Sequence, residues 1–180
     1  MRRLRVLVLM HKDLVPPDSL NGQDLEQAAW RTEYDVVSTL KKLGHEVQAL
    51  GVKSDLEVIR TAVEGWKPHI AFNLLEEFDG VAVYDQNVVS YLELMRIPYT
   101  GCNPRGLMLS RDKALAKQVM SYHRIPYPEF MLVPLHRMVR RPKYLPFPLI
   151  VKSVTEEASL GISQASIVDD DDKLRERVAF

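Results

Sequence analysis

Two lysines and one glycine-containing loop are the features of this sequence whose residue types most clearly suit a chemical role. Lys152 ends the apolar run Pro-Leu-Ile-Val at residues 148–151, and the loop TEEASLG follows at residues 155–161. A lysine at the end of a buried strand must reach water or pair its charge. A phosphate group would pair it through a charge-assisted hydrogen bond worth about 1.5–3 kcal/mol. Taken alone, Lys152 is better explained as an edge lysine in water.

The loop and a second lysine add to this phosphate hypothesis. Small residues flank Ser159 and the loop ends at Gly161, so its backbone amides can approach phosphate oxygens closely. Two glutamates in the loop would repel phosphate unless a cation intervenes, and a surface hairpin is the alternative. Lys113 and Lys117 lie one helical turn apart on one face of the segment SRDKALAK, for which a solvated helix face is the alternative.

Acidic side chains are the other candidates. Glu76, Glu77 and Asp79 follow a predicted strand, and open α/β sheets bind ligands at the carboxyl ends of their strands, so this loop could meet an amine substrate. The alternative is an ordinary polar loop. The four consecutive aspartates 169–172 cannot converge on one ion and predict a helix cap. The five histidines lack metal-ligand spacing, so we expect no metal site in this chain.

The elements that position these residues alternate regularly in the first part of the chain. Apolar runs at 4–10, 45–52, 69–75 and 97–101 predict strands, and helical spacing predicts helices at 25–43, 55–66 and 87–96. This alternation predicts an α/β fold with a Rossmann-like parallel sheet.

The pattern changes near residue 103. A long helix is predicted at 103–125, followed by strands at 128–134, 148–153 and 164–168 and a final helix. We therefore predict two domains, 1–102 and 103–180.

Composition limits the classes of partner. The 180 residues carry 24 basic and 24 acidic side chains, so net charge gives no reason to expect nucleic acid. No run approaches the ~20 apolar residues that span a bilayer, so no membrane partner is expected. The single cysteine, Cys102, cannot form an internal disulfide, and a cytoplasmic location fits.

Two stretches together resemble the ATP-grasp superfamily, specifically its ligases of the D-alanine–D-alanine type. These stretches are LELMRIPYTGCNPRGLMLSRDKALAKQVMSYHRIPYPEF at 92–130 and FPLIVKSVTEEASLGIS at 147–163. The resemblance implies a Rossmann-like pre-ATP-grasp domain followed by an incomplete α+β ATP-grasp central subdomain, as the N-terminal portion of a longer ligase. It also implies formation of an acyl phosphate from ATP and a carboxylate, then attack by the amine of an amino acid or small peptide.

The resemblance assigns roles by position. It implies that two lysines and a flexible loop bind the nucleotide phosphates: Lys113, Lys152, Glu157, Ser159 and Gly161. The family's His-Gly pair aligns with Asp79-Gly80, which with Glu76 gives the substrate-binding candidates. Ligands for Mg²⁺ are expected in a C-terminal part that this sequence lacks, and no catalytic residue is assigned here.

Three positions depart from the family pattern and point away from the standard substrate. The loop reads Glu157-Ala158-Ser159, Asp79 replaces the histidine, and HKDLVPPDSLNGQ replaces a glycine-rich turn after the first strand. We expect the 180-residue chain alone to be inactive. The alternative function is a non-catalytic fragment that binds nucleotide weakly or forms a homodimer through its N-terminal domain. A plain Rossmann-like binder is disfavoured because no G-x-G-x-x-G follows the first strand.

Overall fold

The computed structural model describes residues 2–19, 24–155 and 161–180. It divides into two compact units, Met1–Met108 and Leu109–Phe180. The domain boundary predicted between residues 102 and 103 stays a prediction. No helix in the described part of the chain is long and apolar enough to cross a membrane.

The first unit is built on a parallel sheet, as predicted. Strands β1 (Arg5–His11), β2 (Glu46–Val52) and β3 (Ile70–Asn73) have the order β2-β1-β3, with β1 in the centre. The predicted strand at 97–101 forms a single parallel bridge from Tyr99 to Ala71. Helices α1 (Arg31–Lys42), α2 (Glu57–Trp66) and α3 (Asp85–Leu94) connect these segments. The predicted helix 25–43 begins later, at Arg31, and the residues before it include a short 3-10 turn, Leu25–Gln27.

Alternate side chains of β1 enter two hydrophobic clusters, one on each face of the sheet. Val6, Val8 and Met10 contact residues of α1, namely Val36, Val37 and Leu40. Leu7 and Leu9 lie on the opposite face with residues of α2 and α3, namely Ile59, Ala62, Val63, Val88 and Leu92. A strand covered on both faces reads as a continuous apolar run, which explains why β1 is recognisable from sequence.

This layout produces a switch point at the carboxyl edge of the sheet. The chain moves from β1 to β2 on one side and then returns to β3 on the other side of β1. Helix α1 lies on one face, whereas α2 and α3 lie on the other. The loops after β1 and β3 therefore leave the sheet in opposite directions and create the crevice where open α/β folds bind ligands.

The helix predicted at 103–125 is two helices. Helix α4 (Pro104–Arg111) ends before Asp112, and α5 (Lys113–Tyr122) begins after it. The Asp112 carboxylate accepts hydrogen bonds from the amides of Ala114 and Leu115, which is the geometry of an N-cap. An aspartate that caps a new helix interrupts the preceding one, so the single-helix prediction was wrong at this residue.

The second unit has little strand structure. Strands β4 (Leu149–Ile150) and β5 (Ile167–Val168) form an antiparallel pair, with one further bond from the Val151 amide to the Ser166 carbonyl at 2.8 Å. The strand predicted at 128–134 is absent, and those predicted at 148–153 and 164–168 are shorter. Residues of the 128–134 segment, Met131 and Val133, instead pack against the buried cluster of Val139, Val168 and Leu174.

Helix α6 (Asp171–Ala179) completes the second unit. Asp170 is its N-cap and accepts from the Lys173 amide at 2.8 Å, so the predicted capping role of the aspartate run is confirmed. The Lys173 ammonium lies 2.6 Å from the Asp169 carboxylate, and this hydrogen bond lowers the pKa of Asp169.

Candidate functional sites

Lys113 contacts the segment that follows Lys152. Its backbone N–H and its ammonium both lie 3.3 Å from the carbonyl oxygen of Val154 and donate to it. Val154 follows Lys152 and Ser153 in the chain. The start of α5 and the segment after β4 are therefore neighbours within the second unit, although the chain places them far apart in sequence.

The sequence predicted that Lys152 lies at the end of a buried strand, and the structure places it elsewhere. Strand β4 ends at Ile150, and Lys152 is exposed. Within the described part of the chain, its ammonium forms no hydrogen bond or ion pair. Its charge is therefore available to an anion that approaches from solvent. Because the side chain is exposed to water, it does not require such a partner.

Gly161 ends the predicted phosphate loop, of which the structure describes Thr155 and Gly161. Its φ of 69° lies in the left-handed region, where glycine is favoured, and its carbonyl accepts a hydrogen bond from Arg177 of α6. This contact fixes the end of the loop on α6. The predictions for Glu157 and Ser159 fall outside the described residues.

Lys117 does not take part in the same arrangement. Its ammonium donates to the Pro128 carbonyl at 3.2 Å and lies 4.7 Å from the centre of the Phe130 ring. These contacts attach the 128–130 segment to α5. Of the two lysines on this face, Lys113 is the one directed at the segment that contains Lys152.

The substrate candidates of the first unit form a tight turn. Phe78 and Val81 exchange two backbone hydrogen bonds, and the residues between them, Asp79 and Gly80, have φ values of 55° and 73°. Two left-handed residues in succession define a type I′ turn, for which Asp-Gly is a preferred pair. The Asp79 amide also donates to the Lys53 carbonyl at 2.7 Å. Asp79 and Gly80 thus have a local structural role, while Asp79 and Glu76 keep exposed carboxylates.

Sequence reasoning named Glu77 but missed the cluster of polar side chains to which it belongs at the carboxyl edge of the sheet. His11, the last residue of β1, places Nε2 3.2 Å from the Glu77 carboxylate, and Lys53 lies 3.3 Å from the Asp13 carboxylate. The amide of Asp13 donates to Nδ1 of His11, which leaves the imidazole proton on Nε2, facing Glu77. His11 ends β1, and Asp13, Lys53 and Glu77 follow β1, β2 and β3. That position at the strand ends was the signal available in the sequence.

No metal centre accompanies these residues. Among the described side chains, no three of the types His, Cys, Asp and Glu are grouped so that they could hold a metal ion. The expectation that this chain provides no Mg²⁺ site therefore stays a prediction.

No protein-family model matches the chain. The D-alanine–D-alanine ligase of Acidiphilium cryptum is 31% identical over 127 residues, which is 71% of this chain and 40% of the relative. The corresponding ligase of Syntrophotalea carbinolica is 32% identical over 151 residues, or 82% of this chain and 45% of the relative. That of Aquifex aeolicus is 28% identical over 174 residues, or 96% of this chain and 53% of the relative.

A solved structure shares the fold. The D-alanine–D-alanine ligase from Bacillus anthracis complexed with ATP matches with a TM-score of 0.66 and 23% identity, covering 95% of this chain and 52% of that chain. The predicted α/β fold class and the predicted resemblance to D-alanine–D-alanine ligases are both confirmed. The chain spans about half the length of these relatives, or less.

Proposed function

Because the chain resembles D-alanine–D-alanine ligases over most of its length, we propose that it is part of an ATP-dependent ligase that joins a carboxylate to an amine. The nucleotide phosphates bind in the second unit, to Lys113, Lys152 and the loop that ends at Gly161, with Glu157 and Ser159 in that loop. The substrate binds at the carboxyl edge of the sheet in the first unit, where Glu76, Asp79 and Gly80 are the candidates.

One observation carries the nucleotide proposal: Lys113 donates two hydrogen bonds to Val154, which follows Lys152 in the chain. The lysine that begins α5 is thereby held against the segment that carries the second lysine. Cations from two different elements provide the charge that a triphosphate requires, since each charge-assisted hydrogen bond to phosphate contributes about 1.5–3 kcal/mol. The Val154 carbonyl is a neutral acceptor, so a phosphate oxygen can replace it as the partner of the Lys113 ammonium at a gain in Coulomb energy.

The proposed reaction has two steps. A substrate carboxylate oxygen attacks the γ-phosphorus of ATP, the bond between that phosphorus and the β,γ-bridging oxygen breaks, and ADP leaves with the bonding electrons. The amine then attacks the carbonyl carbon of the acyl phosphate, phosphate leaves, and the nitrogen loses a proton to give the amide. Positioning and neutralisation of phosphate charge dominate such catalysis, and Lys113 and Lys152 serve that purpose.

Mg²⁺ would share this neutralisation in a complete enzyme of this kind. The described residues contain no grouped set of oxygen or nitrogen ligands for it. No step of this proposal is therefore assigned to a metal ligand of this chain.

The test is a titration of the 180-residue chain with ATP, followed by NMR through the backbone amides of residues 113, 152–154 and 161. We expect Lys113→Met and Lys152→Met each to weaken binding about 10-fold or more, which is the effect of one lost charge-assisted hydrogen bond. Lys143→Met is the matched control, because Lys143 is an exposed lysine of the same unit, and it should change affinity less than about 2-fold. Equal affinities of all three variants would overturn the proposal.

A further inference from the structure

A basic connector precedes β4 in the second unit. Residues 135–147 read LHRMVRRPKYLPF and carry four arginine or lysine side chains and no acidic one. Part of this connector forms, together with the first turns of α6, a concavity of about 250 Å³. Its lining residues are Val139, Arg140, Arg141, Asp171, Leu174 and Arg175. Three arginines from two separate segments therefore line one small cavity.

Arg141 is held in a fixed position at this concavity. Its Nε atom donates to the Asp171 carboxylate at 3.0 Å, and its Nη1 atom donates to the Leu145 carbonyl at 2.7 Å. The guanidinium also lies 4.4 Å from the centre of the Phe147 ring. A guanidinium has five N–H donors, so three remain after these two hydrogen bonds. Because the planar group is already ordered, binding an oxyanion costs little further conformational entropy.

Arg140 and Arg175 supply the other positive charges. Arg140 is exposed and, within the part of the chain that the structure describes, its guanidinium forms no hydrogen bond or ion pair. Arg175 donates from Nη1 to the Asp172 carboxylate at 2.6 Å, and both of these side chains are more than half exposed. The lining residues carry a net charge of +2, or +1 when Asp172 is counted with its partner. The concavity therefore retains positive charge after its internal pairs have formed.

This concavity lies on the α6 side of the β4–β5 pair. Leu174, which lines it, belongs to the buried cluster against which Leu149 and Val151 pack. Side chains alternate across a strand, and Ile150, between those two residues, is 52% exposed. Neither of the two proposed nucleotide lysines lines the concavity. The three arginines therefore form a site separate from the proposed nucleotide site.

We propose that this concavity binds a phosphate group, as inorganic phosphate or as a phosphate monoester. The planar fork of an arginine forms two parallel hydrogen bonds to phosphate oxygens, which a lysine ammonium does not provide. A phosphate ester carries about −1.5 to −2 charges at pH 7, so it suits this site better than a carboxylate does. Arg141 is the ordered centre of the site, and Arg140 and Arg175 contact the anion from the connector and from α6. Bound phosphate thus bridges the two segments.

The test is a titration of the 180-residue chain with inorganic phosphate and, separately, with methyl phosphate, at pH 7 and at an ionic strength held constant with sodium chloride. Binding is followed by the NMR shifts of the backbone amides of residues 139–141 and 171–175. We expect saturable shifts in both segments. Similar affinities for the two probes extend the site to phosphate monoesters, and binding of inorganic phosphate alone assigns it to the free anion. The absence of saturable shifts with both probes overturns the proposal.

Arg140→Gln is the decisive variant, because within the described residues its side chain has no hydrogen bond or ion pair to lose in the free protein. Arg140→Gln and Arg175→Gln should each weaken phosphate binding about 5-fold or more, the effect of one partly screened charge-assisted hydrogen bond. Arg137→Gln is the matched control, because Arg137 is an exposed arginine of the same connector that does not line the concavity, and it should change affinity less than about 2-fold. Equal affinities of the wild type, Arg140→Gln and Arg175→Gln would contradict the proposal. Shifts confined to residues 113 and 152–154 would also contradict it, because they would place the phosphate at the nucleotide lysines instead.

Discussion

Nε2 of His11 and the carboxylate of Glu77 lie 3.2 Å apart, which joins the end of β1 to the loop that follows β3. The two strands are neighbours in the sheet, and their loops flank the switch point. The same loop is also attached to the segment after β2, through the Asp79 amide and the Lys53 carbonyl. Residues 76–81 are therefore fixed over the carboxyl ends of β1 and β2 by one side-chain pair and one backbone bond.

Removal of this pair should loosen the loop without unfolding the unit. The side chains of His11 and Glu77 are 21% and 36% exposed, so solvent screening reduces the contribution of their contact to the free energy of unfolding. We expect Glu77→Ala to lower the free energy of unfolding by about 0.5–1 kcal/mol, measured by urea denaturation. In a double-mutant cycle, His11→Ala should cost less in the Glu77→Ala background than in the wild type. A coupling energy of zero would show that the contact contributes nothing.

The turn at Asp79-Gly80 predicts a large loss of stability for one substitution and almost none for another. Gly80 has a φ of 73°, so Gly80→Ala should destabilise by about 1–2 kcal/mol through backbone strain, although nothing lies within 4 Å of the new Cβ. Asp79→Asn should leave stability within about 0.5 kcal/mol, since asparagine suits the same position of a type I′ turn. Thermal unfolding of both variants is the measurement. Because Asp79→Asn removes charge without disturbing the turn, it also tests whether the Asp79 carboxylate contributes to substrate binding.

Gly51 marks a close approach between β2 and the turn after β1. A Cβ at this position would lie 3.0 Å from the Lys12 Cα atom and 2.8 Å from a methyl carbon of Val15. Since the backbone at Lys12 would have to move, Gly51→Ala should destabilise by about 1–3 kcal/mol in urea denaturation.

Gly65 provides the matched control for Gly51. It lies in α2 with nothing within 4 Å of an added Cβ, so Gly65→Ala should stabilise by about 0.5–1 kcal/mol. The same substitution, glycine to alanine, is thus expected to lower the free energy of unfolding at Gly51 and to raise it at Gly65. Stabilisation by Gly51→Ala would mean that the turn after β1 is not packed against β2.

The sequence predicts the first unit well because its strands are buried on both faces. The residues predicted for the second strand, 45–52, differ by one from β2, Glu46–Val52. In the second unit the same reasoning fails at 128–134, where Met131 and Val133 contribute to a core without pairing to a neighbouring strand. Apolar spacing reports burial, and the hydrogen-bond partner that makes a strand is a property of the tertiary structure.

The site residues were predictable to different degrees for the same reason. Lys113 and Lys152 stand out by residue type and resemblance, but the contact of Lys113 with Val154 depends on the folding of two distant segments. The pairing of His11 with Glu77 likewise cannot be predicted from the positions of the histidines in the sequence. The burial of Glu33 could not be predicted from sequence either, because a glutamate in the first turn of a helix is ordinarily exposed.

Tyr99 gives a prediction about alkaline pH. Burial of its phenol and a hydrogen bond of 2.7 Å to the Glu93 carboxylate raise the pKa of Tyr99 to about 12. In the unfolded chain the pKa of a tyrosine is about 10. A group whose pKa is higher in the folded state contributes stability below the unfolded pKa and loses it as pH rises through the folded pKa. The contribution of Tyr99 should therefore decline between about pH 10 and 12.

The measurement compares the wild type with Tyr99→Phe in urea denaturation at pH 8 and at pH 11. Tyr99→Phe should be less stable by about 0.5–1 kcal/mol at pH 8, the value of one partly exposed hydrogen bond, and the difference should shrink at pH 11. Absorbance titration near 295 nm should show the ionisation of Tyr99 near pH 12 in the wild type, and Tyr99→Phe should lose that step. Glu93→Gln should move that ionisation toward lower pH, because it removes the carboxylate that opposes the phenolate. A difference between wild type and Tyr99→Phe that grows with pH would contradict the assigned contact between Tyr99 and Glu93.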